Sequence, residues 1–251
     1  MRLLLTGLNG TLAPHVAAAA AQRGWQVVGW DRGRVPPENA AAGAEWLRDC
    51  RPDAMAHLAM GDAAWAAALA SHAAARSLPF VFTSSAMVFH HLPDGPHGLL
   101  DARNAQDDYG RYKARCEDVV LAAHPRASVV RIGWQIDADA RGNHMLAQLD
   151  EWQRREGSVG ASRAWRPACS FMRDTALALV ELIADPLPGI VHLDSNADEG
   201  HSFDAIVAAL QRQFARDAWV LRVHQDYRHD QRLLGGAARM PALSERLPLF
   251  G

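Results

Sequence analysis

Long apolar runs, excess charge and cysteine are all scarce in this chain, and each scarcity closes off a class of protein. No uninterrupted apolar stretch is long enough to span a bilayer. The leucine run at the start ends at Thr6-Gly7, too short for the core of a signal peptide. A cytoplasmic protein without a membrane partner is the expectation. A formal net charge of −2 and a pI near 6.6 remove the electrostatic case for nucleic acid. The three cysteines, Cys50, Cys116 and Cys169, are far apart and lack metal-ligand spacing, so they read as reduced packing residues. Repeats, low-complexity linkers and charge blocks are missing as well. What is present is 251 residues, 49% hydrophobic and 22% charged, enough to bury a full core and to hold a metabolite-sized ligand.

Short apolar runs alternate with alanine-rich helical stretches through the first half, the pattern of an α/β chain with a doubly wound parallel sheet. Strands are expected at Leu3-Leu4-Leu5, Trp25 to Trp30, Ala54 to Ala59, Phe80 to Ser85 and Ser128 to Ile132. Helices are expected at Ala13 to Arg23, Glu38 to Asp49, Ala63 to Arg76, Asp108 to Ala123 and Asn143 to Arg155. Between His90 and Gln106 the composition turns to His, Pro, Gly and Asp, a long loop at the carboxyl end of a strand, where open α/β sheets bind ligands. His90 and His91 adjoin, so an extended backbone points them to opposite faces; they are read as lining this loop, and no metal is expected. Further helices at about Phe171 to Ala184 and Phe203 to Phe214, with short strands near Ile190-Leu193 and Val220-Val223, suggest a small C-terminal lobe. The expected division is a nucleotide-binding domain over 1–160 and a substrate lobe over 161–251, partly interleaved with the sheet.

Thr6-Gly7-Leu8-Asn9-Gly10-Thr11-Leu12 lies between the first strand and the first helix. A glycine turn there brings backbone N–H groups and a helix N-terminus against a pyrophosphate, although two glycines alone also fit an ordinary loop. Asp31 ends the second strand, where a carboxylate accepts hydrogen bonds from a ribose diol and favours NAD. Arg32 and Arg34 keep NADP open, since a guanidinium there can hold a 2′-phosphate. Tyr109 and Lys113 are four apart on a helix and share one face. An ammonium beside a phenol eases proton exchange with a hydroxyl or carbonyl oxygen, and Ser85 at a strand end can donate a hydrogen bond to that oxygen. The pair is common by chance; its order after Gly7, Gly10, Asp31 and Ser85 gives it meaning.

That order resembles the extended short-chain dehydrogenase/reductase family, in its dTDP-4-dehydrorhamnose reductase-like branch. The matching segments are Thr6-Gly7-x-x-Gly10, Pro52 to Ala59, Phe82 to Phe89, Tyr109-Gly110-Arg111-Tyr112-Lys113 with Glu117, Val129 to Trp134, and Arg228 to Arg232. The resemblance implies a Rossmann-type sheet with a small C-terminal substrate lobe and an NAD(P)-dependent oxidoreductase acting on a sugar or nucleotide sugar. Ser85, Tyr109 and Lys113 would be catalytic. Gly7, Gly10, Thr11, Leu12, Asp31, Arg32, Leu58 and Ala59 would join Tyr109 and Lys113 on the cofactor. Ser85, Trp134 and Arg232 would face the substrate. The partners implied are that small molecule and a second copy in a homodimer. Only some 20 residues separate Asp31 from Arg51, less than the family usually places there, and Ala86-Met87 stands where dehydratases carry an acidic pair. An epimerase with tightly bound NAD, or a silent NAD(P)-binding sensor or scaffold, are the alternatives.

Overall fold

The computed structural model describes residues 1–138, 142–236 and 240–248. β1 (Arg2–Thr6) is covered on both faces, Leu3 and Leu5 packing in one core and Leu4 in another, which is why its leucines show no polar alternation. α1 (Ala13–Gln22) follows and buries Ala13, Val16, Ala19 and Ala20. β2 (Gln26–Gly29) forms one edge of the sheet. α2 (Ala40–Cys50) starts at Asn39, whose side chain accepts the Ala42 N–H at 3.0 Å. β3 (Ala54–His57) leads to α3 (Ala63–Ala75), which Asp62 caps in the same way. β4 (Phe80–Ser85) is buried along its whole length. α4 (Asp108–Ala123), capped by Asp107, and β5 (Ser128–Ile132) complete the first half.

The chain then leaves the sheet through β6 (Trp134–Ile136), α5 (Met145–Glu156), β7 (Val159–Ser162), β8 (Trp165–Arg166) and β9 (Cys169–Phe171). It returns with α6 (Met172–Ala184), which packs on α1, and β10 (Gly189–Leu193). The last elements are α7 (Phe203–Gln213), β11 (Leu221–His224) and β12 (His229–Asp230). The six-stranded parallel sheet runs β10-β5-β4-β3-β1-β2, so the α/β, Rossmann-type reading of the sequence holds. Strand order reverses between β1 and β3, and ligands of such sheets bind in the crevice outside those carboxyl ends.

Outside the sheet, the segments that leave and return are held by the parallel pairs β6–β9, β7–β11 and β8–β12 over a core that includes Ile136, Met145, Leu149, Phe203 and Ile206. One buried carboxylate ties these pieces together. Asp194 accepts the N–H groups of Cys169 (3.0 Å) and Asn196 (2.9 Å) on Oδ1 and that of Leu233 (3.0 Å) on Oδ2. The three cysteines are buried and unpaired. Among the described residues no helix is long and apolar enough to cross a membrane, and no group of His, Cys, Asp or Glu is placed to hold a metal.

Candidate active site

Two cavities open at the carboxyl edge of the sheet. The first, about 720 Å³, lies over the ends of β1, β2 and β3 and is lined by Gly7 to Gly10, Gly29 to Gly33 and Leu58 to Met60. Its floor is backbone brought close together. Gly7 sits at φ +87°, and a Cβ there would lie 3.0 Å from the amide nitrogen of Ala59. The Gly10 N–H closes the turn on the Gly7 carbonyl at 2.7 Å. α1 then begins at Leu12 without a side-chain cap, leaving the positive end of the helix facing outward. Thr6 holds the opposite wall: its Oγ1 accepts the N–H groups of Leu58 (3.0 Å) and Ala59 (3.1 Å). Its own hydrogen goes to Nδ1 of His57, 2.8 Å away. Burial, with the charges of Lys113 and Arg32, pushes that imidazole down to about 3, so it is neutral. Under the cavity Trp30 meets Trp46 at 4.9 Å and Trp65 at 5.4 Å between ring centres.

The second cavity, about 550 Å³, opens where β4 and β5 meet β6, β8 and the chain before β12. Ser85 and Tyr109 stand together in its wall. Ser85 also accepts the Met87 N–H at 3.2 Å, which fixes its rotamer. Tyr109 is pressed there because the next residue is Gly110, where a Cβ would collide with the Met87 carbonyl at 2.1 Å. Burial raises the Tyr109 pKa, with the neighbouring Ser85 acting in the other direction, so the phenol keeps its proton at neutral pH. One helical turn on, Lys113 is 3% exposed and donates Nζ to the Thr83 carbonyl at 2.8 Å. Its ammonium lies 5.8 Å from the Tyr109 ring centre, and burial pushes it down to about 8.

Beneath these groups is a buried ion cluster. Glu117 accepts Arg131 through Nε (2.9 Å) and Nη2 (2.8 Å), Ser84 Oγ at 2.6 Å, and Arg103 at 3.2 Å. It locks α4 to β4, β5 and the 90–106 loop, and so sets where Tyr109 and Lys113 stand relative to Ser85.

A model of the RmlD substrate binding domain family matches residues 61–210, more than half the chain. The chain belongs to this family. Solved structures agree with it. The dTDP-4-dehydrorhamnose reductase of Clostridium acetobutylicum is similar over 94% of this chain and 90% of its own, at 18% identity and a TM-score of 0.80. The Bacillus anthracis dTDP-4-dehydrorhamnose reductase, solved with NADP, is similar over 97% and 96%, at 16% identity and a TM-score of 0.81. Bordetella bronchiseptica WbmH, solved with NAD+, is similar over 91% and 87%, at 19% identity and a TM-score of 0.75. At such identities the likeness establishes the fold. Comparison with curated protein sequences finds no match.

In this RmlD-family chain Gly7, Gly10, Asp31, Arg32, Leu58 and Ala59 come together in the first cavity, and Ser85, Tyr109 and Trp134 in the second. Lys113 supports the second from below. Asp31 turns Oδ1 to the Gly33 N–H at 2.8 Å, while Arg32 lies 4.8 Å over the Trp65 ring and donates to the Met60 carbonyl. Thr11 and Leu12 are not among the lining residues. Leu12 packs into the core as the first residue of the helix turn, and Thr11 faces Gly142. Arg232 is not brought to either cavity: its guanidinium grips both oxygens of Asp230 at 2.8 Å and the Ala197 carbonyl at 2.9 Å. Gln231, beside it, lines the second cavity instead. Sequence reading missed Gln135, Trp165 and Tyr227 there, and no spacing signal points to them, because they sit on separate segments.

Proposed function

We propose that this chain is an NAD(P)-dependent oxidoreductase that interconverts a carbonyl and a hydroxyl on a sugar-type ring, with Ser85, Tyr109 and Lys113 as its proton relay. The observation that carries this reading is the placement of Ser85 and Tyr109 together in one cavity wall, backed by a buried ammonium. The first cavity fits a dinucleotide: a turn in which a Cβ at Gly7 would strike the opposite backbone, and an uncapped helix start, suit a pyrophosphate. Asp31 and Arg32 would meet the adenosine ribose, and they admit NAD or NADP. Bound there, the cofactor supplies or receives a hydride at nicotinamide C4.

The chain's own groups handle the proton. In the reducing direction Tyr109, protonated at neutral pH, gives its proton to the carbonyl oxygen as that oxygen gains charge. Ser85 donates a hydrogen bond to the same oxygen. Lys113 keeps a positive charge under the phenol and so favours the phenolate left behind.

The test is Tyr109→Phe, which keeps the ring and removes the proton. Consumption of reduced nicotinamide with keto-sugars is expected to fall by about 10²- to 10⁴-fold while dinucleotide affinity is unchanged. Full turnover by this variant rules the relay out. Interconversion of sugars with no net change in nicotinamide absorbance would assign the same residues to an epimerase.

A further inference from the structure

Three imidazoles meet around the segment that brings Gln231 to the second cavity: His97 from the 90–106 loop, His192 from β10 and His229 from β12. All are buried, none more than 5% exposed. The loop and the segment are laced together by a short parallel bridge. His97 donates its N–H to the Arg232 carbonyl and accepts that of Leu234, each at 2.8 Å, while Asp94 accepts the Asp230 N–H. His192 gives its Nδ1–H to the Leu234 carbonyl at 2.9 Å, and Tyr227, which also lines the cavity, meets Nδ1 of His229 at 3.1 Å.

The surroundings suit these rings only as neutral groups. The His97 ring lies flat on Phe89, with centres 4.2 Å apart, and edge-on to His229 at 5.9 Å. Nε2 of both His97 and His229 is buried without a hydrogen-bond partner, whereas an imidazolium needs an acceptor at each nitrogen. The nearby carboxylates are already engaged: Asp94 with Arg228, Asp230 with Arg232, and Asp101 with the Gly98 N–H. From β5 Arg131 faces His97 and His192 with a positive charge, offset at His192 by Glu117 of α4. His91 stands 6.3 Å from His229. Burial is the largest influence on each ring; it holds His97 below its ordinary value and pushes His192 and His229 down to about 4.

We propose that the 90–106 loop and the 227–234 segment form an acid-released clasp on the wall of the second cavity. Protonation of His97, His192 and His229 parts the two segments and frees Tyr227 and Gln231 from the wall, leaving the sheet and the first cavity in place. The clasp operates whatever reaction the cavity hosts. Above pH 6.5 the rings are neutral whether it is closed or open. As pH falls from 6.5 to about 4 the open form binds protons that the closed form refuses, so the clasp weakens through that window.

Amide hydrogen exchange of the full chain, read by mass spectrometry and corrected for the intrinsic rate at each pH, separates the clasp from the sheet. Between about pH 7 and about pH 4.5, protection of peptides covering 227–234 is expected to fall on the order of 100-fold, since each pKa unit is worth tenfold. Peptides covering β3 and β4 are expected to hold theirs. His97→Phe with His229→Phe keeps two flat rings and removes both proton sites, and this double variant is expected to shrink the loss by about tenfold. Protection at 227–234 that ignores pH, a fall shared equally by β3 and β4, or a loss undiminished in the double variant overturns the proposal. If the double variant does not fold, NMR titration of the histidines in the parent decides: native values at or above 6.5 for His97 and His229 overturn the clasp, and values below 6.5 sustain it.

Discussion

The two cavities are built from different material. The one over β1 to β3 is made largely of backbone from consecutive residues, held by Thr6 and by the close approach of Gly7 to Ala59. The one over β4 and β5 is lined by residues from widely separated places, among them Ser85, Tyr109, Gln135, Asn143, Trp165 and Gln231. A backbone cradle suits a ligand that stays the same, whereas a side-chain wall can be re-cut for each substrate without disturbing the sheet. Lys113 lies beneath the second cavity at the centre of the fold, so it tests the contrast most severely.

Lys113→Met is expected to give the largest effect, a loss of turnover on the order of 10²- to 10⁴-fold. Stability moves the opposite way. Lysine is protonated in both states below pH 8, and the folded state bears the cost of burying the charge. The variant is therefore expected to be more stable at pH 7 by roughly 1–3 kcal/mol in denaturant titrations. The gap closes as pH rises from about 8 to 10.5, where the native lysine sheds its proton while the unfolded one retains it. In the parent, kcat/KM is expected to fall over the same alkaline limb. A variant no more stable than the parent would mean the ammonium is better solvated than its burial implies.

Next in size is Gly7→Ala, confined to the first cavity. Its left-handed φ and the contact with Ala59 predict about 100-fold weaker dinucleotide binding by calorimetry, with kcat at saturation nearly unchanged. An equal loss in kcat would show that the two cavities are not separable. The smallest effect is expected from Asp194→Asn, which turns an amide group toward the Leu233 N–H. Stability should drop by about 1–3 kcal/mol, and the substrate KM should rise while dinucleotide affinity holds. A loss of dinucleotide affinity here would again erase the distinction.

The same contrast explains what was legible in the sequence. The elements of the main sheet and its first helices announce themselves: α4 and β5 run over the residues expected, and β1 to β4 and α1 to α3 fall within two or three residues of expectation. Their signals are local, as with Asp107 capping α4 or the alanine stripe of α1. β6, β8, β9 and β12 went unseen because two or three residues are too few for a period of two to register. Ser85, Tyr109 and Lys113, singled out by their order, stand together at the second cavity. Gln135, Trp165 and Tyr227 were not singled out, since only the pairing of β6 with β9 and of β8 with β12 brings their segments to one wall. Arg232, expected to face the substrate, lies outside both cavity linings, its guanidinium held by Asp230 two residues away.

Six of the eight tryptophans fall into two groups of three, and each group borders one cavity. Trp30, Trp46 and Trp65 cluster at the first; Trp134, Trp152 and Trp165 cluster at the second. The protein thereby carries two built-in optical reporters. Ultraviolet excitation reads occupancy of the first cavity through Trp30 and of the second through Trp134 and Trp165, and replacing either trio with phenylalanine leaves the other to be followed against the constant background of Trp25 and Trp219.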